Sequence, residues 1–517
     1  MLPMLKRPGI VDLASLILVL ALVFINKGFF NDPGVGWHLK TGELISVSRE
    51  LPTSDPFLFT SADKSWISNQ WLSDVIFYQV HTAGGWLALK IFCVCLIFIA
   101  FFVILYPLLL TTKARPLIVL GVWLLCLMQA SVQWFCRPVL FSFLLFSLVF
   151  SLLQRVDNAK KIQNLFFILP VIFVIWANLH PGFVLGLMLV AVFSAVLLVE
   201  SYREDSILKA LGAIFLLLAP FSATLLNPYG LRLHQSILRL GQSNYFMNLN
   251  SEWLCLTIYK TAYLPFFVII LLAICSRLNR KEKVVSVFDA IIFFILSLMS
   301  FIQVRYLPFF SIVAGFVILK GIAASSKNLG NVSKKTTVVA AFSALESRQT
   351  FCTKYLYSAL VLISLFVLSI SSKSFIVSKN SNGFDSSYPI EIADYFKTTP
   401  FPIRAFHSPD LGGYLAYTLY PKKVFIDDRN ELNGEDIYED YFRAIAARPG
   451  WKEVFSKYQL DYAIVNKADA LAIALGNDPN WSILIEGKNS TVLYQQHSSI
   501  FKSINHLSKN AEIDQKF

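Results

Sequence analysis

Charge is what this chain is short of. Of 517 residues only 15% are Asp, Glu, Lys or Arg and 56% are hydrophobic, whereas an ordinary soluble domain is roughly a quarter charged. A soluble fold of this composition could not solvate its own surface. Also missing are a Gly-x-Gly-x-x-Gly run after a strand and a P-loop, so there is no signature of a nucleotide fold. The seven cysteines are scattered. Cys93, Cys95, Cys126, Cys275 and Cys352 lie in or beside apolar segments without metal-ligand spacing, and no disulfide framework is visible. Cys136 and Cys255 fall on one side of the topology below, which leaves open a bridge or two unrelated buried thiols. No internal repeat is evident, which weakens a transporter built from duplicated halves.

What the chain has instead is phenylalanine, 45 of them, and apolar blocks near twenty residues long, the signature of helices bathed in lipid. Spans are expected at 11–30, 86–110, 116–134, 138–154, 164–180, 182–200, 208–226, 262–277, 286–304, 306–323 and 354–372, each able to cross about 30 Å of hydrocarbon. The first reads as an uncleaved anchor, since no small-residue cleavage site follows Phe29.

The net charge of +12 sits between these blocks. Lys6/Arg7, Lys113/Arg115, Arg155/Lys160/Lys161, Arg203/Lys209, Arg277–Lys283 and Lys327/Lys334/Lys335 all fall on one side if the spans alternate, and that side is the cytoplasm. Nucleic acid is not called for. The opposite face receives loop 31–85, loop 227–261, the turns at Arg137, His180 and Arg305, and everything after Ser372. The expected fold is therefore an α-helical polytopic membrane protein of about eleven spans with a small α/β extracytoplasmic C-terminal domain. Residues 1–323 form the transmembrane domain with its outer loop 31–85, 324–353 a cytoplasmic linker rich in Ser and Lys, 354–372 the last span and 373–517 the outer domain.

Loop 31–85 carries two apolar patterns at helical spacing, around Trp37–Ile45 and Trp71–Val80, which predict amphipathic helices. Between them Pro52 and Pro56 forbid helix and place Asp55 on a turn. At the mouth of the first span stands Asn31-Asp32-Pro33, then Trp37-His38. Asp32 either caps the helix that holds His38 or serves as a general base.

The run Asp32-Pro33, Trp37-His38-Leu39, Thr41-Gly42-Glu43, Pro52 through Phe57 and Gln70-Trp71-Leu72 resembles a group of bacterial multispanning proteins of GT-C-type glycosyltransferase architecture. The resemblance runs on through Trp176–Phe183, Asn227-Pro228-Tyr229-Gly230, Glu252-Trp253, Arg305, Gly412–Leu415 and Phe425–Arg429. It implies a membrane enzyme that takes sugar from a polyprenyl-phosphate carrier and places it on a glycan, lipid or protein acceptor at the outer, periplasmic face of the bacterial inner membrane. Asp32 matches the acidic residue of the first outer loop. The alternative from another class is a non-catalytic scaffold or a transporter for envelope-polymer assembly. Transport is disfavoured because the spans are nearly clean of ionisable groups.

Such a donor needs cations for its leaving phosphate and a base for the acceptor hydroxyl. Arg305, fixed between two spans, is the first choice for the phosphate and Arg232 the second; snorkelling to headgroups is the competing reading for Arg137 and Arg305. His180 binds phosphate, passes a proton or ties a helix end. Glu252 beside Trp253 offers a carboxylate next to a stacking ring, or is a solvated interface residue. With Asp32 as the catalytic residue, His38, Asp55, His180, Arg232, Glu252 and Arg305 complete the candidate site. In the C-terminal domain, strands are expected at 403–406, 424–426, 462–465 and 481–485 and helices at 389–397, 435–447 and 450–458. Asp427-Asp428 either hold a divalent cation or are neutralised by Arg429.

Overall fold

The computed structural model describes Leu20, Phe384 and residues 27–62, 64–111, 116–156, 159–249, 252–257, 259–275, 286–326, 388–399, 403–488 and 491–496. The expected first span, the linker 324–353 and the last span lie wholly or almost wholly outside these residues. In chain order the helices are α1 (Val35–Ser48), α2 (Trp71–Thr111), α3 (Pro116–Ala130), α4 (Val139–Gln154), α5 (Ala159–Leu179), α6 (Phe183–Arg203), α7 (Ile207–Ala223), α8 (Leu231–Gln242), α9 (Asn244–Leu249), α10 (Leu264–Cys275), α11 (Val287–Ile302) and α12 (Leu307–Ser326). After them come α13 (Ile390–Thr398), β1 (Ala405–Phe406), α14 (Pro409–Leu419), α15 (Asn430–Asn433), α16 (Glu435–Ile445), α17 (Trp451–Tyr458), β2 (Tyr462–Asn466), α18 (Ala470–Gly476), β3 (Trp481–Glu486) and β4 (Thr491–Gln496).

The chain divides into two compact units, one of Met1–Phe29 with Val80–Lys379 and one of Phe30–Gln79 with Asn380–Phe517. In the first, the described elements are helices. Among the described residues, four stretches are long and apolar enough to cross a membrane, Trp71–Phe102, Ile162–Leu179, Phe183–Arg203 and Val304–Ile322, and five shorter apolar helices accompany them. Helices α4 to α7 and α10 to α12 start and stop within a few residues of the expected spans, whereas α8 and α9 fall in the expected loop 227–261. Helix α2 joins two expected segments, the amphipathic pattern from Trp71 and the span from Trp86, across a break at Gly84–Gly85. Gly85 has φ +66°, a conformation open to glycine and costly for other residues. The interior is aromatic: Phe143 and Phe146 each meet Phe309 edge-on at 5.1 Å, the arrangement ring quadrupoles favour.

Asp289 closes the N-terminus of α11. Its backbone N–H donates to Ser286 Oγ (3.1 Å) and its Oδ2 accepts from the Ser286 N–H (3.2 Å), a reciprocal capping box. Lys320 Nζ lies 2.9 Å from the same carboxylate and Gln154 also donates to it, so α4, α11 and α12 share one neutralised charge.

The second unit joins residues 30–79 to the C-terminal region. Four strands form a mixed sheet in the order β1-β2-β4-β3, with β1 parallel to β2 and the other pairs antiparallel. The Val424–Ile426 stretch, expected as a strand, stays outside this sheet: Val424 instead exchanges backbone bonds with the loop, donating to Phe57 O (2.8 Å) and accepting from Phe59 N (3.0 Å). Helices α1 and α14 touch backbone to backbone. A Cβ on Gly36 would fall 2.1 Å from the Gly413 carbonyl oxygen, and one on Gly413 would fall 2.0 Å from that of Pro33. Only glycine permits this approach, and it is why residues 30–79 group with the C-terminal region rather than with the helices that flank them in sequence. His407 is sealed beneath: its Nδ1–H donates to Ser408 O (2.9 Å) and its Nε2 accepts from the Phe425 N–H (3.0 Å).

Candidate functional site

Asp32 sits where the chain turns into α1. Its Oδ1 accepts from the Gly34 N–H (2.8 Å) and its backbone carbonyl accepts from Val35 N (3.3 Å), an Asx turn that the following Pro33 favours. The carboxylate is thus held in a turn just ahead of the helix, and the expected cap is not made: the N-cap position falls on Gly34, with no side-chain cap bond. Asp32 is 2% exposed.

Side chains crowd around Gly34. A Cβ there would lie 3.1 Å from Asp32 Oδ1, 3.2 Å from Asp428 Oδ2 and 3.3 Å from His38 Cδ2, closer than a methyl group tolerates, so two carboxylates and an imidazole edge are gathered around this glycine. Each is fixed from behind. His38 Nδ1 is 2.6 Å from Asp74 Oδ1, which aims Nε2 away from Asp74 and sets the tautomer. The ring lies tilted by 33° against Trp37 with centroids 3.6 Å apart. Trp37 Nε1–H donates to Asp428 Oδ1 (2.8 Å), and Asp428 Oδ2 lies on the Gly34 side. At the N-terminus of α14, partial desolvation and then the Asp32 charge push Asp410 above the usual carboxylate range.

Asp427 and Asp428 part company. Asp427 accepts from Arg429 Nε (2.7 Å) and Nη2 (2.6 Å), and Arg429 Nη2 also reaches Asp55 Oδ1 (2.9 Å). The guanidinium lies among Trp66, Phe57 and Trp37, 4.7, 5.1 and 5.3 Å from their centroids. Burial opposes its charge, but Asp427 and Asp55 outweigh it and raise the pKa of Arg429 further. Asp55, expected to bind substrate, is fully buried and also accepts from Phe57 N (3.0 Å) and Leu58 N (3.2 Å); its oxygens serve the turn and Arg429. Among the described residues no three His, Cys, Asp or Glu side chains are grouped as metal ligands; Arg429 takes Asp427 out of any divalent-cation pair.

The remaining candidates lie in the helical unit. Glu252 Oε1 is 2.8 Å from Arg137 Nη1, and its Oε2 accepts from Gln133 Nε2 (2.8 Å). Its backbone carbonyl accepts from Arg305 N (3.0 Å), and the Arg305 guanidinium lies 5.0 Å from the Trp253 centroid. Burial works against the Glu252 charge, but Arg137, Gln133 and Arg305 prevail and lower its pKa. Two guanidiniums therefore surround one carboxylate, an anion-ready excess. His180 ties the α5–α6 turn: Trp176 Nε1–H donates to Ser142 Oγ (2.8 Å), Ser142 Oγ lies 2.8 Å from His180 Nδ1, and Gly182 N–H donates to that Nδ1 (2.9 Å). Arg232 stands exposed on α8.

Sequence reasoning grouped Asp32 with His38 but missed Asp74 and the role of Trp37. The unused signal was Asp74 three residues into an amphipathic helix, a charge that helix-start logic explains without a partner.

The fold is that of GT-C-type glycosyltransferases. It is similar to the apo oligosaccharyltransferase of Archaeoglobus fulgidus (TM-score 0.50, 13% identity, 88% of this chain and 69% of that one) and to ArnT from Cupriavidus metallidurans bound to undecaprenyl phosphate (TM-score 0.50, 12% identity, 93% and 97%). No family model and no curated protein matches the sequence.

Proposed function

We propose that this protein is a membrane glycosyltransferase that moves a sugar from a polyprenyl-phosphate carrier to an envelope glycan, lipid or protein at the periplasmic face of the inner membrane. The observation that carries the reading is the gathering of Asp32, Asp428 and His38 around Gly34. Asp32 acts as the base: it takes the proton of the acceptor hydroxyl as that oxygen attacks the anomeric carbon, and the carrier phosphate leaves with the bonding pair. Asp428 and His38 hold sugar or acceptor hydroxyls. Within the helical unit, Arg305 and Arg137, with Glu252 fixing Arg137 and His180 fixing the α5–α6 turn, form a separate candidate site for phosphate charge. The ArnT neighbour is bound to undecaprenyl phosphate, which supports a polyprenyl-linked donor for this chain too.

The test is mass spectrometry of lipids and glycans from membranes of cells with the protein, without it, and with Asp32→Asn. An undecorated acceptor or accumulated carrier-linked sugar in both altered strains supports transfer and identifies the substrates. Unchanged profiles in the strain lacking the protein point to a scaffold; a change there but none with Asp32→Asn removes Asp32 from the chemistry.

A further inference from the structure

Helix α8 has no part in the reading above. Its inner face is well anchored: Leu233 is buried, His234 Nε2 lies 2.9 Å from Thr224 Oγ1, and the His234 ring meets Phe183 at 5.4 Å and Phe221 at 5.8 Å. Phe183 opens α6, and Phe221 and Thr224 close α7. His234 therefore packs α8 against the neighbouring ends of two apolar helices, Phe183–Arg203 and Ile207–Ala223.

Its outer face is unlike the lipid-facing sides of the spans. Leu231 and Leu238 are 60% and 64% exposed, and Arg232 and Arg239 are exposed beside them. Each pair is seven residues apart, nearly two full turns, so the leucines form one stripe and the arginines the next, with about 10 Å between the two members of a stripe. The helix contains no Asp or Glu, and neither arginine has an ion-pair partner among the described residues.

We infer that the outer face of α8 is a docking surface for the anionic leaflet of the membrane: the leucines enter the acyl boundary and Arg232 and Arg239 hold phosphodiester oxygens of negatively charged lipids. An amphipathic helix with leucine on one stripe and arginine on the next suits that boundary, since the long arginine stems let the charge rise to the headgroups while the leucines stay below. A guanidinium grips phosphate in a fork. With no acid on the helix, the surplus charge is complementary to an anionic leaflet. The assignment turns Arg232 away from a single substrate phosphate and toward bulk lipid, and it stands whether or not the protein transfers sugar.

The full-length protein, with Cys255, Cys275 and Cys352 replaced by Ser, is placed in nanodiscs of phosphatidylcholine with and without phosphatidylglycerol and carries a spin label at Leu238→Cys. The label is expected to collide with oxygen far more than with a water-soluble nickel chelate. Phosphatidylglycerol retained on the protein, counted by mass spectrometry, is expected to fall on the order of tenfold in the double variant R232Q/R239Q. A label open to nickel overturns the inference, as does one shielded from both probes, which would mean a protein partner. Unchanged phosphatidylglycerol retention in the double variant overturns it too.

Discussion

Arg429 reaches Asp55, 374 positions earlier in the chain, through a 2.9 Å contact between Nη2 and Oδ1. The same nitrogen meets Asp427, so one buried cation holds two carboxylates inside a wall of aromatic rings. Removing Arg429 leaves two buried carboxylates without their cation, whereas removing Asp55 leaves a balanced Arg429–Asp427 pair and costs the bonds that Asp55 accepts. Arg429→Ala is expected to cost about 3–5 kcal/mol and Asp55→Ala about 1–3 kcal/mol, each read as a lower unfolding temperature of the purified protein. Arg429→Lys is expected to rescue little, because an ammonium cannot form the planar fork that meets both partners. Stability unchanged in Asp55→Ala would mean that the loop is held by other contacts.

The glycine contact between α1 and α14 gives a second test with its own control. An Ala at Gly36 or Gly413 would push Cβ to 2.1 or 2.0 Å from a carbonyl oxygen, and backbone cannot move aside as the end of a side chain can. Either substitution is expected to destabilise by about 1–3 kcal/mol or more. Gly121→Ala, with nothing within 4 Å of the added Cβ, is expected to be neutral or to gain up to about 1 kcal/mol. Thermal denaturation of the three variants side by side decides it.

How far the residues alone disclosed this arrangement depends on the range of the contact. Helices α4 to α7 and α10 to α12 were legible because each is a local matter of apolar length and flanking charge; α8 and α9, inside what was expected as loop 227–261, were not. Asp32 and His38 were legible as neighbours four residues or fewer from a helix start. The union of residues 30–79 with the C-terminal region was not, because it rests on Gly36 against Gly413 and Asp55 against Arg429, pairs far apart in sequence with no periodicity to betray them. Val424–Ile426 was misread for the same reason: a β-branched, aromatic run predicts a strand, and nothing local says that its partner is Leu58 instead of the sheet.

Burial holds the His407 ring neutral and pushes its pKa down to about 4. The two bonds around it demand the neutral form, one nitrogen donating and the other accepting. In the unfolded chain the ring titrates near pH 6.5. Below that pH the unfolded state binds a proton that the folded state refuses until about pH 4. Stability that is complete above pH 6.5 is therefore lost as pH falls across that window, by about 3 kcal/mol in total. Unfolding midpoints of the full-length protein between these pH values are expected to drop less in His407→Gln; equal drops would assign the acid sensitivity to other groups.

Trp37 makes Asp428 the sharpest test of the cluster around Gly34. Asp428 has no counterpart in the first loop, yet its Oδ2 stands as close to the Gly34 position as Asp32 Oδ1 does, 3.2 against 3.1 Å. If it holds a hydroxyl of the sugar or acceptor, Asp428→Asn removes a charge-assisted bond worth about 1.5–3 kcal/mol, and kcat/KM for sugar transfer is expected to fall by about tenfold to a hundredfold. If Asp32 is the base, Asp32→Asn is expected to cost about a hundredfold or more, chiefly in kcat. A merely structural Asp428 predicts something else: the amide still accepts from Trp37 Nε1–H through its oxygen, so folding and kinetics both survive. Measuring unfolding temperature and kinetics on the same preparations separates the cases. A stable Asp428→Asn protein with wild-type kcat/KM would leave Asp32 as the cluster's sole reacting carboxylate.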